Sequence, residues 1–105
     1  MKEITVQELK AKLDKKEDFQ LIDVREQFEH ELVNISGELI PLSKVIANAD
    51  KISRDKDVIV YCRSGNRSGI AIRQLEQQFG FTNLYNLKGG IIAYAREIDH
   101  SLPTY

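Results

Sequence analysis

One segment of the sequence, from Val58 to Ser68, most limits what this chain can fold into. It begins with the apolar run 58–61, which is typical of a short buried strand. The only cysteine, Cys62, follows, and a turn containing Gly65 leads directly into a stretch with helical periodicity. A strand that turns directly into a helix is a unit of parallel sheets covered by helices.

Strand and helix patterns alternate along the rest of the chain. Short apolar runs predict strands at 19–24, 39–40, 57–61 and 84–87. Helices are predicted after the Thr5–Glu8 capping box, over one or two turns at 26–32, between the cysteine turn and Gly80, and after Gly89–Gly90. A further helix is predicted after Ser43, with one face formed by Val45, Ile46, Ala49 and Ile52. This order predicts one α/β domain over residues 1–105, with a mostly parallel sheet of about five strands and helices on both faces.

Composition and charge argue against several classes of protein. The net charge of −1 over 105 residues, without a basic excess, predicts neither a nucleic-acid partner nor a membrane surface. A single cysteine excludes an internal disulfide and a multi-cysteine metal site. His30 and His100 are far apart and are interpreted as surface residues, so we expect no metal and no cofactor. A free thiol and the lack of an apolar signal core after Met1 favour a cytoplasmic location.

The position of Cys62 favours a reactive thiolate. Backbone N–H groups and the positive end of a helix dipole point at its sulfur, and Arg63 and Arg67 add full charges. Such surroundings lower a cysteine pKa to roughly 3.5–7.5. A lone cysteine after an apolar strand is by default a buried small hydrophobe, but a core cysteine needs neither a tight turn nor two cations. Asp23 and Arg25 end another predicted strand, so they are expected at the same edge of the sheet.

Four segments together resemble the rhodanese family over nearly the whole chain. They are Leu21–Glu26, Gly37 with Ile40–Leu42, Cys62–Ser68, and Leu87–Ile91. The last eleven residues, Ala95–Tyr105, are similar to the C-terminal rhodanese domain fused to adenylating enzymes of molybdopterin and thiamine biosynthesis. The sequence departs from the family pattern at Gln27, where proline is common.

The resemblance implies a sulfurtransferase. Cys62 would take the outer sulfur of a donor such as thiosulfate and carry it as a persulfide. The acceptor would be cyanide in vitro, and a thiol or a sulfur-carrier protein ending in Gly-Gly in the cell. An adenylating enzyme is a further expected partner. The persulfide and the anionic donor would be held by Arg63, Ser64, Gly65, Asn66, Arg67 and Ser68. Ser68 would donate to the thiolate or cap the helix, and Asp23 with Arg25 would either support the loop or form a structural ion pair.

Two alternatives come from relatives of this fold. Phosphatases with a Cys…Arg phosphate loop have a loop one residue longer than the four residues between Cys62 and Arg67. A shorter ring suits one sulfur atom better than a phosphate, so we expect negligible phosphatase activity. The second alternative is a non-catalytic interaction module. Modules of that kind often lack the cysteine, which this chain keeps.

Overall fold

The computed structural model describes all residues, 1–105, and its centre is a five-stranded, entirely parallel sheet. The strands are β1 (Glu3–Ile4), β2 (Gln20–Asp23), β3 (Glu38–Leu39), β4 (Val58–Tyr61) and β5 (Leu84–Leu87), in the spatial order β1-β5-β4-β2-β3. The helices are α1 (Val6–Asp14), α2 (Gln27–Leu32), α3 (Asn66–Phe79) and α4 (Gly90–Glu97). The predicted α/β fold class is confirmed.

Alternate residues of β4 face opposite sides of the sheet, as the two-residue period of a strand requires. Val58 and Val60 belong to a buried cluster with residues of α3. Ile59 and Tyr61 belong to a second cluster with residues of α1 and α4. Both faces of the central strand are therefore covered, which explains why this run is apolar throughout and confirms helices on both faces.

Local signals at element ends are confirmed where they depend on neighbouring residues. Thr5 and Glu8 form both hydrogen bonds of the capping box at the start of α1. Gly80 ends α3 with a left-handed φ of 69°.

The sequence did not predict β1, whose residues bind the edge of β5: Lys88 N–H donates to the Ile4 carbonyl at 2.9 Å. This pairing brings the number of strands to five.

The helix predicted after Ser43 is not present as an α-helix. The segment contains two 3₁₀ turns, Leu42–Lys44 and Ala49–Lys51, in which N–H groups bind the carbonyl three residues earlier. Between them, Asn48 donates to the Lys44 carbonyl both from its backbone N–H, at 3.1 Å, and from its side chain, at 2.8 Å, so one helical bond forms without continuing into an α-helix. The expected apolar face nevertheless packs against the core on the side of α3.

The carboxyl ends of β2 and β4 are neighbours, because Asp23 pairs with Tyr61 in the parallel register. The segments that follow these two strands, which carry Arg25 and Cys62, therefore start at the same edge of the sheet. No helix in the structure combines the length and the apolar character that crossing a membrane requires.

Candidate functional site

The sulfur of Cys62 lies at the centre of the turn between β4 and α3. The residue is 1% exposed, and the Gly65 N–H donates to Sγ at 3.1 Å. The Ser68 hydroxyl oxygen lies 3.3 Å from Sγ. Gly65 precedes α3 with a φ of 107°, a backbone conformation that glycine adopts without strain. This conformation allows the turn to close around a single sulfur atom.

Hydrogen-bond donors around Sγ determine its acidity. Burial by itself raises the pKa of Cys62, because it removes the thiolate from water. The Ser68 hydroxyl and the backbone N–H groups of Ser68, Gly65 and Ser64 act in the opposite direction. Their combined effect is larger, so the pKa of Cys62 lies below its ordinary value. The hydrogen-bond donors around Sγ therefore make Cys62 more acidic than an ordinary cysteine.

The start of α4 holds the cysteine turn from the other side. Ile91 N–H donates to the Cys62 carbonyl at 3.0 Å, and Ile92 N–H donates to the Arg63 carbonyl at 3.2 Å. Gly90 makes this contact possible, because a Cβ there would lie 2.7 Å from the Cys62 carbonyl oxygen. The Gly89–Gly90 pair thus starts helix α4. It also allows the first turn of this helix to approach the segment Cys62–Ser68, the sulfur loop.

The two arginines of the loop have different surroundings. Arg67 Nη1 and Nη2 donate to the two carboxylate oxygens of Glu29, at 2.6 and 2.9 Å. These bonds, with the Tyr105 hydroxyl, outweigh the effect of burial and lower the pKa of Glu29 to about 2. Arg63 is exposed, and its Nε donates to the backbone oxygen of Tyr105 at 2.6 Å. Ser64 and Asn66 lie at the exposed side of the loop.

Asp23 and Arg25 form a fully buried ion pair. Arg25 Nε and Nη2 donate to the Asp23 carboxylate at 2.9 and 2.7 Å, and Nη2 also donates to the Val33 carbonyl at 2.6 Å. Arg25 Nη1 donates to the Tyr105 hydroxyl at 2.9 Å, and that hydroxyl donates to Glu29 at 2.6 Å. The pair therefore binds the sulfur loop only indirectly, through Tyr105 and Glu29.

The histidines differ from each other. His30 is half-buried rather than at the surface, and its Nδ1 lies 2.9 Å from the Asp23 carboxylate. His100 is exposed, and its Nε2 lies 2.7 Å from the Arg96 carbonyl. No group of three or more histidine, cysteine or acidic side chains is arranged to hold a metal ion.

Three residues that contact this site were not predicted from the sequence: Glu29, Asn86 and Tyr105. Glu29 carries a local signal, since its carboxylate accepts from the Glu26 N–H three residues earlier, at 3.1 Å. Asn86 is the one polar residue in the strand Leu84–Leu87, and it accepts from the Ser68 hydroxyl at 2.6 Å. No local pattern marks Tyr105.

The sequence matches the family described as Rhodanese-like domain over residues 5–97. The chain belongs to the rhodanese-like domain family. Its fold is also that of the rhodanese-like domain protein of Staphylococcus aureus, with a TM-score of 0.83 at 29% identity. That match covers 100% of this chain and 99% of the other.

Of the following three relatives, two carry names that refer to sulfur transfer and one is named for its rhodanese-like domain. The protein named sulfurtransferase of Allochromatium vinosum is 40% identical over 96% of this chain and 92% of its own length. The probable adenylyltransferase/sulfurtransferase MoeZ of Mycobacterium tuberculosis is 34% identical over 97% of this chain. The Rhodanese-like/PpiC domain-containing protein 12, chloroplastic, of Arabidopsis thaliana is 38% identical over the whole chain. This chain spans only 26% of the mycobacterial protein and 38% of the plant protein.

Proposed function

We propose that this rhodanese-like domain, residues 1–105, is a sulfurtransferase that carries a sulfane sulfur on Cys62. Membership of the family and relatives named as sulfurtransferases support a transferase of the rhodanese type. The observation that carries the specific proposal is the surrounding of Sγ, with the Gly65 N–H at 3.1 Å and the Ser68 hydroxyl at 3.3 Å. Donors placed in this way stabilise an anionic sulfur, as an oxyanion hole stabilises oxygen.

In the first half-reaction, the Cys62 thiolate attacks the outer sulfur of thiosulfate. The sulfur–sulfur bond of the donor breaks, its electron pair leaves with sulfite, and a persulfide remains on Cys62. Exposed Arg63 attracts the anionic donor. Arg67 donates one N–H from Nη1 and one from Nη2 to Glu29, which leaves three of its five N–H groups to stabilise the charge on the departing sulfite.

In the second half-reaction, a nucleophile attacks the outer sulfur and Cys62 leaves as the thiolate. Atoms and electrons balance between donor, Cys62 and acceptor, and the two steps predict ping-pong kinetics. The nucleophile is cyanide in vitro and a thiol in the cell. With a sulfur-carrier protein whose Gly-Gly end an adenylating enzyme has activated, the outer sulfur of the persulfide is instead the nucleophile: it attacks the acyl carbon, and AMP leaves. Two thiols then reduce the resulting acyl disulfide, which releases the carrier thiocarboxylate and the Cys62 thiolate and leaves the thiols as a disulfide. We place this chemistry in the cytoplasm, where the thiol stays reduced.

Intact-protein mass spectrometry under non-reducing conditions tests the persulfide. Incubation with thiosulfate is expected to add about 32 Da, the mass of one sulfur, and cyanide is expected to remove it. Cys62→Ser is the control, since it keeps the size of the side chain and is expected to gain no mass. If neither thiosulfate nor another persulfide donor adds sulfur to the folded protein, the interaction-module alternative takes the place of this proposal.

A further inference from the structure

The Ser68 hydroxyl has one hydrogen and two neighbours that can accept it. Its oxygen lies 3.3 Å from Cys62 Sγ and 2.6 Å from Asn86 Oδ1. Ser68 and Cys62 are at most 1% exposed and Asn86 is 6% exposed, so water does not replace a missing partner easily. A hydroxyl donates only one hydrogen bond at a time. Cys62 and Asn86 therefore compete for it.

The orientation of the Asn86 amide makes this competition unavoidable. Asn86 Nδ2 donates to the Gly65 carbonyl at 3.0 Å and makes a weak contact with Met1 Sδ at 3.7 Å. Rotating the amide by half a turn would place Oδ1 against the Gly65 carbonyl oxygen, which has no hydrogen to offer. Oδ1 is thus directed at Ser68 in either protonation state of the cysteine.

Two hydrogen-bond arrangements follow. When Cys62 is a thiol, its S–H donates to the Ser68 oxygen, and the Ser68 hydroxyl donates to Asn86 Oδ1. When Cys62 is a thiolate, the Ser68 hydroxyl turns to the negative sulfur. Asn86 Oδ1 then loses its donor, which is unfavourable for a buried acceptor.

We propose that Asn86 is a positioning residue that competes with Cys62 for the Ser68 hydroxyl hydrogen and thereby restrains thiolate formation. In the sulfur-transfer cycle, which rests on the proposed function, the Ser68 hydroxyl hydrogen alternates between the two acceptors. The persulfide carries its charge on the outer sulfur, so the hydroxyl returns to Asn86. When an acceptor attacks the outer sulfur, the bond to Sγ breaks, Sγ receives the electron pair, and the hydroxyl turns to it. No proton is transferred in this rotation.

Loop support by Asn86 is a competing explanation, and it makes the opposite prediction. The loop has other attachments: Gly69 N–H donates to the Gly65 carbonyl at 3.2 Å, and Ile91 N–H donates to the Cys62 carbonyl at 3.0 Å. Replacing Asn86 is therefore expected to leave the loop in place. The variants below keep the charged groups around the loop. These are Arg63 in the loop, Arg67 on α3, Glu29 on α2, Asp23 and Arg25 at and just after the end of β2, the amino group of Met1, whose side chain contacts Asn86, and the Tyr105 backbone oxygen that Arg63 binds.

A thiol titration of four proteins tests the proposal: wild type, Asn86→Leu, Ser68→Ala and the double variant. Thiolate formation is followed by ultraviolet absorbance against pH. Asn86→Leu is expected to lower the pKa of Cys62 by about one unit, because Ser68 no longer has a second acceptor. Ser68→Ala is expected to raise it by about one unit, because the thiolate loses a donor. In the Ser68→Ala background, Asn86→Leu is expected to change little.

A raised or unchanged pKa in Asn86→Leu would overturn the proposal, and a rise in both backgrounds would assign Asn86 to loop support alone. Circular dichroism and cooperative unfolding verify that each variant is folded. If Asn86→Leu does not fold, the smaller Asn86→Val is titrated in both backgrounds with the same expectations. The titration needs no sulfur donor, so its outcome is independent of whether the protein transfers sulfur.

Discussion

The Glu29 carboxylate pairs with the positive charge of Arg67 beside the sulfur loop. It is buried, and it accepts from Arg67, from the Tyr105 hydroxyl and from the Glu26 N–H. Burying a carboxylate is strongly unfavourable unless it is paired and hydrogen-bonded. The three donors satisfy this requirement, and they hold the Arg67 guanidinium at a defined place beside Cys62.

The Glu29 contacts predict how stability depends on pH. The pKa of Glu29 is lowered from 4.5 to about 2, chiefly by Arg67. Its contribution is therefore fully present above the unfolded value and is lost as the pH falls toward the folded value. Between about pH 5 and pH 3, the unfolding free energy of the wild type is expected to fall by on the order of 2 kcal/mol more than that of Glu29→Gln. Urea unfolding at each pH measures this difference, and parallel curves would contradict it.

At the scale of elements, the start of α4 forms one wall of the sulfur site. Gly90 has a φ of 64°, and a Cβ there would collide with the carbonyl groups of Cys62 and Arg63. Gly80 has a similar φ of 69° at the end of α3, but open space surrounds it. Comparing substitutions at these two glycines therefore separates the cost of backbone strain from the cost of steric contact with the loop.

Alanine substitutions at these two glycines are predicted to differ. Gly80→Ala is expected to cost about 1 kcal/mol of unfolding free energy, the strain of a left-handed residue with a side chain. Gly90→Ala adds the collision, so its loss is expected to exceed about 3 kcal/mol, and its Cys62 is expected to react with an alkylating agent at a changed rate. Urea unfolding and thiol alkylation of both variants provide the comparison. Equal losses at the two sites would show that the contact with the loop is unimportant.

At the scale of the whole molecule, Tyr105 joins segments that are distant in sequence. Its hydroxyl accepts from Arg25 and donates to Glu29, across separations of 80 and 76 residues. Its ring lies beneath the Arg63 guanidinium, 5.2 Å from the ring centre. The end of β2, helix α2 and the sulfur loop therefore share this one side chain.

Removing the Tyr105 hydroxyl is predicted to destabilise the fold. Tyr105→Phe keeps the ring but deprives two charged groups of a hydrogen bond, which is expected to cost about 1–2 kcal/mol. Tyr85→Phe is the matched control, since that ring also packs against the core while its hydroxyl makes no hydrogen bond in the structure. Urea unfolding compares the two variants. A loss at Tyr105 no larger than at Tyr85 would mean that the hydroxyl does not connect these segments.

Patterns along the chain were enough to predict the α/β class, four of the five strands, the capping box at Thr5, the cap at Gly80 and the position of Cys62 at a strand-to-helix turn. These features depend on residues that are neighbours along the chain, so a local pattern is sufficient to reveal them. The prediction of an α-helix after Ser43 was wrong. The spacing of the apolar residues in this segment is also compatible with the two 3₁₀ turns that form there.

The identity of the side chains around the sulfur, in contrast, depends on the three-dimensional packing of the chain. Glu29 meets Arg67 across 38 residues, and Asn86 meets Ser68 across 18. Such pairs have no spacing that a strand or helix period would produce, because the distance along the chain between them reflects the loops and elements that separate them. Strand order and packing bring them together, and the charge and hydrogen bonding at Cys62 follow from that arrangement.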